Sequence, residues 1–260
     1  MRKGIMTLVL LFGLLPLVQA ETAQEKGLAI IVESDNRDKG WQDSSADMLM
    51  TLRNKSGKES IREIRVKNLE VEGDGDKGLT VFDQPRDVKG TAFLTYSHAL
   101  VPDDQWIFLP ALKRVKRISS SNKSGPFMGS EFAYEDISSF EVEKYSYLYL
   151  RDEVLEGQDC FVLETKPLYK HSGYTKSTVW IDKSEYRIQK IDFYDRKDTL
   201  LKIQRFNDYK HYLGQYWRAH TMTMENQQNG KSTTLQWNNY TFQAGLTDKD
   251  FEKNDLKRQR

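Results

Sequence analysis

Between residues 46 and 242 the sequence is a succession of short stretches in which apolar and polar residues alternate, punctuated by turn residues and free of helical repeats. A period of two marks strands with one buried face. Strands joined by short turns pair antiparallel, because parallel pairing needs a long crossover. Residues 46–53 place Ala46, Met48, Met50 and Leu52 on one face. Residues 61–71 carry Ile64 and Val66, then Leu69 and Val71, a change of phase that predicts a bulge near Asn68. A polar, glycine-rich tip at 73–78 precedes strands at 79–82, 90–97 and 105–109. The series continues at 145–150, 160–165, 177–182, 187–194, 200–209, 216–225 and 232–242, with a turn at 226–230 joining the last two. About ten to twelve such strands predict a mostly β chain: an antiparallel barrel, or a strongly curved sheet wrapped around something. No linker or internal repeat interrupts the series, so a single domain is expected.

Two stretches break the pattern. Leu28, Ile31 and Val32 fall at i, i+3 and i+4 among polar residues, which predicts an opening helix that ends near Gly40, with Trp41 packed back onto the domain. Residues 119–140 begin as a polar loop and then carry Phe127, Met128, Phe132, Tyr134, Ile137 and Phe140. Long connections inside compact domains are commonly functional. Apolar side chains on such a segment, compatible with short helical turns, suit a lid over an apolar cavity. Phe127, Met128, Phe132 and Tyr134 are the candidate lid residues.

The first residues read differently again. Arg2 and Lys3 precede an uncharged, leucine-rich run over 4–18, and Val18-Gln19-Ala20 ends it with small residues where a signal peptidase reads. The run is shorter than the about 20 residues of a membrane span, so a cleavable export signal over 1–20, cut after Ala20, is expected. No cysteine near that point offers a lipid attachment site. The whole chain carries 39 basic and 38 acidic residues, and loss of Arg2 and Lys3 leaves 37 against 38. That balance gives no general reason to expect nucleic acid as a partner. With 38% hydrophobic and 30% charged residues, the composition is that of a soluble globular chain.

Signals for covalent chemistry are weak. The single cysteine, Cys160, excludes an intrachain disulfide framework and multi-cysteine metal sites, and its strand context reads as a small buried apolar residue. His98, His171, His211 and His220 share no metal-ligand spacing, and no metalloprotease, nucleophile-elbow or phosphate-loop motif is present. The doublets Asp103-Asp104 and Glu135-Asp136 are expected to be solvated. No catalytic residue, metal or cofactor is expected.

Lys113-Arg114-Val115-Lys116-Arg117 is the one basic cluster. As a strand it sends Arg114 and Lys116 to one face and Lys113 and Arg117 to the other. It reads either as a charged edge strand that discourages aggregation or as an electropositive rim for anionic headgroups or an acidic partner. On the second reading Arg114, Lys116 and Arg117 are the rim residues.

The run Gln105-Trp-Ile-Phe-Leu-Pro-Ala-Leu-Lys-Arg-Val-Lys-Arg-Ile118, followed by Phe127-Met-Gly-Ser-Glu-Phe-Ala-Tyr-Glu-Asp136, resembles the exported bacterial outer membrane lipoprotein-sorting proteins of the LolA/LolB-like superfamily. Val179-Trp-Ile-Asp182 with Tyr186-Arg-Ile188 is similar to a hairpin that recurs across that superfamily, and the Gly27-Leu28 helix, Gly40-Trp41 and the Met48–Leu52 stretch also fit. The resemblance covers roughly residues 25–245. It implies an incomplete, strongly curved antiparallel β-barrel with helical elements covering its open side, and a concave apolar face that takes acyl chains. It also implies a monomeric periplasmic carrier of a lipid or lipoprotein, working with an inner-membrane exporter of the RND type or an outer-membrane acceptor. The alternative implied is an envelope sensor or interaction module working with a membrane exporter complex.

Overall fold

The computed structural model describes residues 21–259; the expected export signal lies outside them. Helix α1 (Ala23–Arg37) is followed by thirteen strands. They are β1 (Asp43–Arg53), β2 (Glu59–Leu69), β3 (Lys77–Gln84), β4 (Ala92–Tyr96), β5 (Asp104–Leu109), β6 (Arg114–Arg117), β7 (Tyr145–Leu155), β8 (Gln158–Pro167), β9 (Lys176–Asp182), β10 (Ile188–Tyr194), β11 (Leu200–Tyr212), β12 (Tyr216–Asn226) and β13 (Ser232–Phe242). All belong to one sheet of order β6-β5-β4-β3-β2-β1-β13-β12-β11-β10-β9-β8-β7. Two antiparallel meanders, β1 to β6 and β7 to β13, are joined along the β1–β13 pair. The sheet is an open curved barrel, mostly β as its alternating sequence dictates. Its free edges, β6 and β7, are consecutive in the chain yet unpaired with each other, and residues 118–144 run between them as a series of short 3-10 turns.

Inward-facing positions of both meanders make the main core: Met48, Met50, Ile64, Phe82, Phe93, Ile107, Phe193, Met224 and Leu235. The outer face carries a second core of Leu79, Val81, Ala92, Leu94 and Trp106, covered by 3-10 turns at Asp248–Phe251 and Lys253–Arg258 through Phe251 and Leu256. Strands β3 and β4 are therefore buried on both faces, Thr80 and Thr95 included, which is why they read as largely apolar stretches rather than as strict alternation. The covering turns after β13 have no apolar periodicity of their own by which sequence alone would predict them.

The phase change in β2 is not a bulge. Its register against β1 runs unbroken from Glu59 to Leu69. Ile64 and Val66 serve the inner core, whereas Leu69 packs against the outer one, so the two apolar sets belong to two faces of a regular strand. A register shift does occur in β1 against β13, between Ser45 and Asp47.

Helix α1 starts at a capping box in which Thr22 and Glu25 satisfy each other's backbone amides, and it stops at Asp38 rather than at Gly40. Its buried residues are Gly27, Ile30 and Ile31, while Leu28 and Val32 are 45% and 37% exposed. The inward stripe thus lies one residue away from the predicted one. Gly27 sets it: a Cβ there would stand 2.8 Å from the backbone nitrogen of Tyr149 on β7. Only a residue without a side chain lets the helix approach β7 this closely, and Ile30 and Ile31 then pack on Tyr147, Leu163, Val179 and Ile181. Trp41 is buried, with the Arg218 guanidinium 5.7 Å above its ring.

Candidate functional site: the concave face and its plug

The segment between β6 and β7 enters the half-barrel. Its central loop is closed by its own backbone: Phe127 and Tyr134 donate to the carbonyls of Phe132 and Gly125, and Pro126 bridges Ala133. Met128 and Gly129 take positive φ at the tip, 50° and 76°. This tight loop forces Phe127 and Phe132 inward, where they are 0% and 2% exposed in the main core, with Met128 and Tyr134 packed against it half-buried. Phe127 meets the rings of Phe93 and Tyr134 at centroid distances of 5.0 and 5.6 Å. The four candidate lid residues therefore lie together, and the space above the strands from β1 to β5 is filled by the segment itself, which acts as a plug.

Polar anchors hold the plug to both meanders. Asp136 accepts from Lys202 Nζ at 2.7 Å and from the Tyr174 hydroxyl at 2.9 Å, and the Lys202 and Asp136 side chains are only 5% and 7% exposed. Lys202 also donates to the Glu131 carbonyl at 2.9 Å. Glu135 is cradled by the Tyr169 hydroxyl, the Ser172 hydroxyl and the Gly173 amide at 3.1, 2.8 and 2.8 Å. Burial pushes its carboxyl above the usual carboxylate range. On the other side Arg62 donates to the Met128 carbonyl at 2.6 Å, and Gln105 to the Tyr134 carbonyl at 3.0 Å. Asp103 binds Lys144 and receives the Ser138 hydroxyl at 3.0 Å. The acidic doublets expected in solvent are thus mostly buried. Charged groups are buried when they are paired and fully hydrogen-bonded, and here Asp103, Glu135 and Asp136 fix the plug.

Two spaces remain beside it. A cleft of about 390 Å³ opens between Pro126, Phe132, Tyr174 and Leu201, with Arg196 and Lys197 at its lip. At the far end of the concave face a smaller cavity of about 190 Å³ is lined by Trp41, Ser44, Thr95, Ser97, Arg218 and Tyr240, among others. The hydroxyl of Thr95 faces no hydrogen-bond partner. Along β12 and β13, Met222, Trp237, Tyr240 and Phe242 stay half-buried, an apolar floor continuing beyond the plug. The plug is marked in the sequence by an apolar cluster outside any strand pattern; this floor carries no such mark, although Trp237 and Tyr240 stand in the strand expected over 232–242.

The rim cations separate. Lys113 is not in a strand but turns the chain with φ 51° after the 3-10 turn Pro110–Leu112. Arg117 is engaged by Asp104. Arg114 and Lys116, opposite Leu109 and Ile107 of β5, form no ion pair among the described residues. Arg114 lines a separate cleft with the C-terminal turns.

The arrangement combines apolar enclosure with buried, paired charge. His98 bridges Asp74 and Asp104, at 2.7 and 3.7 Å, tying the loop before β5 to the turn before β3. Cys160 is fully buried with Val162 and Trp180 on the outer face, and burial pushes its thiol up. Among the described residues no group of His, Cys, Asp and Glu is placed to hold a metal ion.

The same fold is found in solved structures. A domain of Vibrio parahaemolyticus named for outer membrane lipoprotein sorting is 63% identical, with a TM-score of 0.89 over 90% of this chain and 100% of its own. A DUF1329 family protein from Desulfovibrio piger is 32% identical, with a TM-score of 0.86 over 91% of this chain and 100% of its own. A LolA superfamily protein from Nitrosomonas europaea, at 23% identity, shares the fold with a TM-score of 0.70 over 90% of this chain and 99% of its own. A family model described as "Uncharacterized protein" matches residues 74–258. No curated protein matches the chain. With identity this high and whole-domain coverage, the chain belongs to the same family as the outer membrane lipoprotein-sorting domain of Vibrio parahaemolyticus.

Proposed function

We propose that the protein is a periplasmic carrier which shields the acyl chains of a lipid or lipoprotein in its half-barrel and moves them between envelope membranes, without covalent chemistry. One observation carries this reading. The two free sheet edges are kept apart, and the apolar side chains that complete the core between them, Phe127, Met128, Phe132 and Tyr134, sit on a connection instead of on strands. A connection can leave the core and return, whereas a strand cannot do so without breaking its ladder. Each methylene taken into the vacated space is stabilised by about 0.8 kcal/mol, so an acyl chain is a suitable replacement for four apolar side chains. The half-buried floor of Met222, Trp237 and Phe242 extends the surface available to it. The 63% identity to a domain named for outer membrane lipoprotein sorting supports the same cargo class and an envelope location.

The test is direct. Protein recovered from the periplasm is analysed by native mass spectrometry, and the purified chain is titrated with a fluorescent acyl probe. Bound lipid and saturable probe binding are expected; a chain that holds neither is not a carrier.

A second reading, an envelope sensor or interaction module attached to an exporter, is favoured by the buried Lys202–Asp136 pair, which ties the plug to β11. It predicts capture of a stoichiometric membrane partner that is indifferent to loading with acyl probe. On either reading Arg114, Lys116 and Arg117 are contact residues for the membrane or partner.

A further inference from the structure

The chain as a whole is close to neutral, with 39 basic and 38 acidic residues, so a local excess of one sign is informative. Such an excess occurs on the outer face beside the free edge β6. Arg114, Lys253, Lys257 and Arg258 line a cleft of about 470 Å³ whose remaining lining is Val115 and Asn254. Asp255 is the one carboxylate paired within this group, 3.1 Å from Arg258. Among the described residues, Arg114, Lys253 and Lys257 form no ion pair. The cations are not on a loose tail. Phe251 and Leu256, each 1% exposed, peg the two C-terminal turns into the outer core beside Val115, and Lys253 sits 5.4 Å above the Trp106 ring. Packing thus presents the charged heads on one surface, 82% exposed in the case of Arg258.

We propose that this cleft docks the protein on an anionic phospholipid surface, its cations taking the headgroup phosphates. The lining decides between a bilayer and a protein partner. Protein interfaces are anchored by buried aromatic or apolar residues at their centre, and this cleft has only Val115. A headgroup layer, by contrast, is held by point charges on long stems, which is what the cleft supplies. The cleft adjoins β6, from which the chain passes directly into the plug, so docking places the open margin of the half-barrel next to the membrane. In naming the membrane as its target the inference rests on the carrier reading; the positive cleft itself does not.

The experiment is vesicle flotation of residues 21–260 with phosphatidylglycerol-containing and pure phosphatidylcholine vesicles, at low and high salt. Salt-sensitive flotation with the anionic vesicles alone is expected. Each basic residue near an anionic leaflet contributes roughly a fivefold gain in affinity, so the double variant K253Q/K257Q is expected to bind about 25-fold more weakly. The control K55Q/K58Q, in the exposed β1–β2 turn, is expected to bind unchanged. All four lysines are exposed, and an unchanged melting temperature will confirm that the variants fold. Equal flotation of K253Q/K257Q and the parent chain, or failure of the parent to float, overturns the proposal. The acyl probe is titrated in parallel. Flotation without probe binding keeps the dock and removes the carrier; probe binding without flotation does the reverse.

Discussion

At the scale of single residues, the charges under the plug decide how firmly it is held. Asp76 lies beside the small polar cavity, where its backbone amide donates to the Ser139 hydroxyl and its carboxylate accepts from Val71. Burial, reinforced by nearby Glu141 and Glu70, raises its carboxyl to about 7. An unfolded aspartate titrates near ~4, so the folded state holds a proton that the unfolded state releases between those values. The stability from this group is present at low pH and is lost as pH rises from roughly 4 to 7. Asp76→Asn keeps the acceptor for Val71 and removes the titration. Its melting temperature is expected to match the parent near the acid end of that window and to exceed it above the window; an equal offset at both ends would exclude the mechanism. Lys202 poses the opposite case. Lys202→Met strands Asp136 in a buried site, and losing one partner of such a pair costs about 3 kcal/mol or more. Adding Asp136→Asn is expected to recover much of that loss, which chemical denaturation of the single and double variants will measure.

At the scale of elements, the contact between α1 and β7 shows how a small residue can outweigh periodicity. In a solvent-exposed helix, replacing glycine by alanine is stabilising by about 1 kcal/mol. At Gly27 the added Cβ meets the backbone of β7 at 2.8 Å, so the helix must lift off Tyr149. Gly27→Ala is therefore expected to destabilise by roughly 1–3 kcal/mol, with opposite sign to the propensity effect, and a rise in urea midpoint would contradict the close approach. The same reasoning explains why the stripe runs through Ile30 and Ile31 and leaves Leu28 outside. The C-terminal turns are a second instance: Phe251 and Leu256 are isolated in the sequence, and only the outer surface of β3, β4 and β5 makes them a core.

At the scale of the whole molecule, plug and cargo compete for one space. Phe127 contributes to the closed state and is fully buried. Phe127→Ala is expected to lower stability by about 3–5 kcal/mol, as large-to-small core changes do. On the carrier reading it also raises the fraction of molecules with the concave face open, so the apparent affinity for an acyl probe increases. Loss of stability together with unchanged or weaker probe affinity would show that the plug is ordinary core. The two readouts come from one variant, thermal melting and fluorescence titration.

The strand series, its antiparallel pairing and the position of the plug segment were legible because each rests on local chemistry: alternation, turn residues, and an apolar cluster where no strand pattern exists. The basic cluster before the plug was legible for the same reason. The tertiary structure decided everything that depends on which surfaces meet. It turned Leu69 outward without a bulge and centred α1 on Gly27. It buried Asp103, Glu135 and Asp136 as anchors, and it joined Arg114 to Lys253, Lys257 and Arg258 across 139 residues of chain at the nearest. Sequence periodicity reports that a side chain is to be buried, but not against what. The partner is chosen by the curvature of the sheet and by the closing of its two meanders on one connection, and these exist only once the chain has folded.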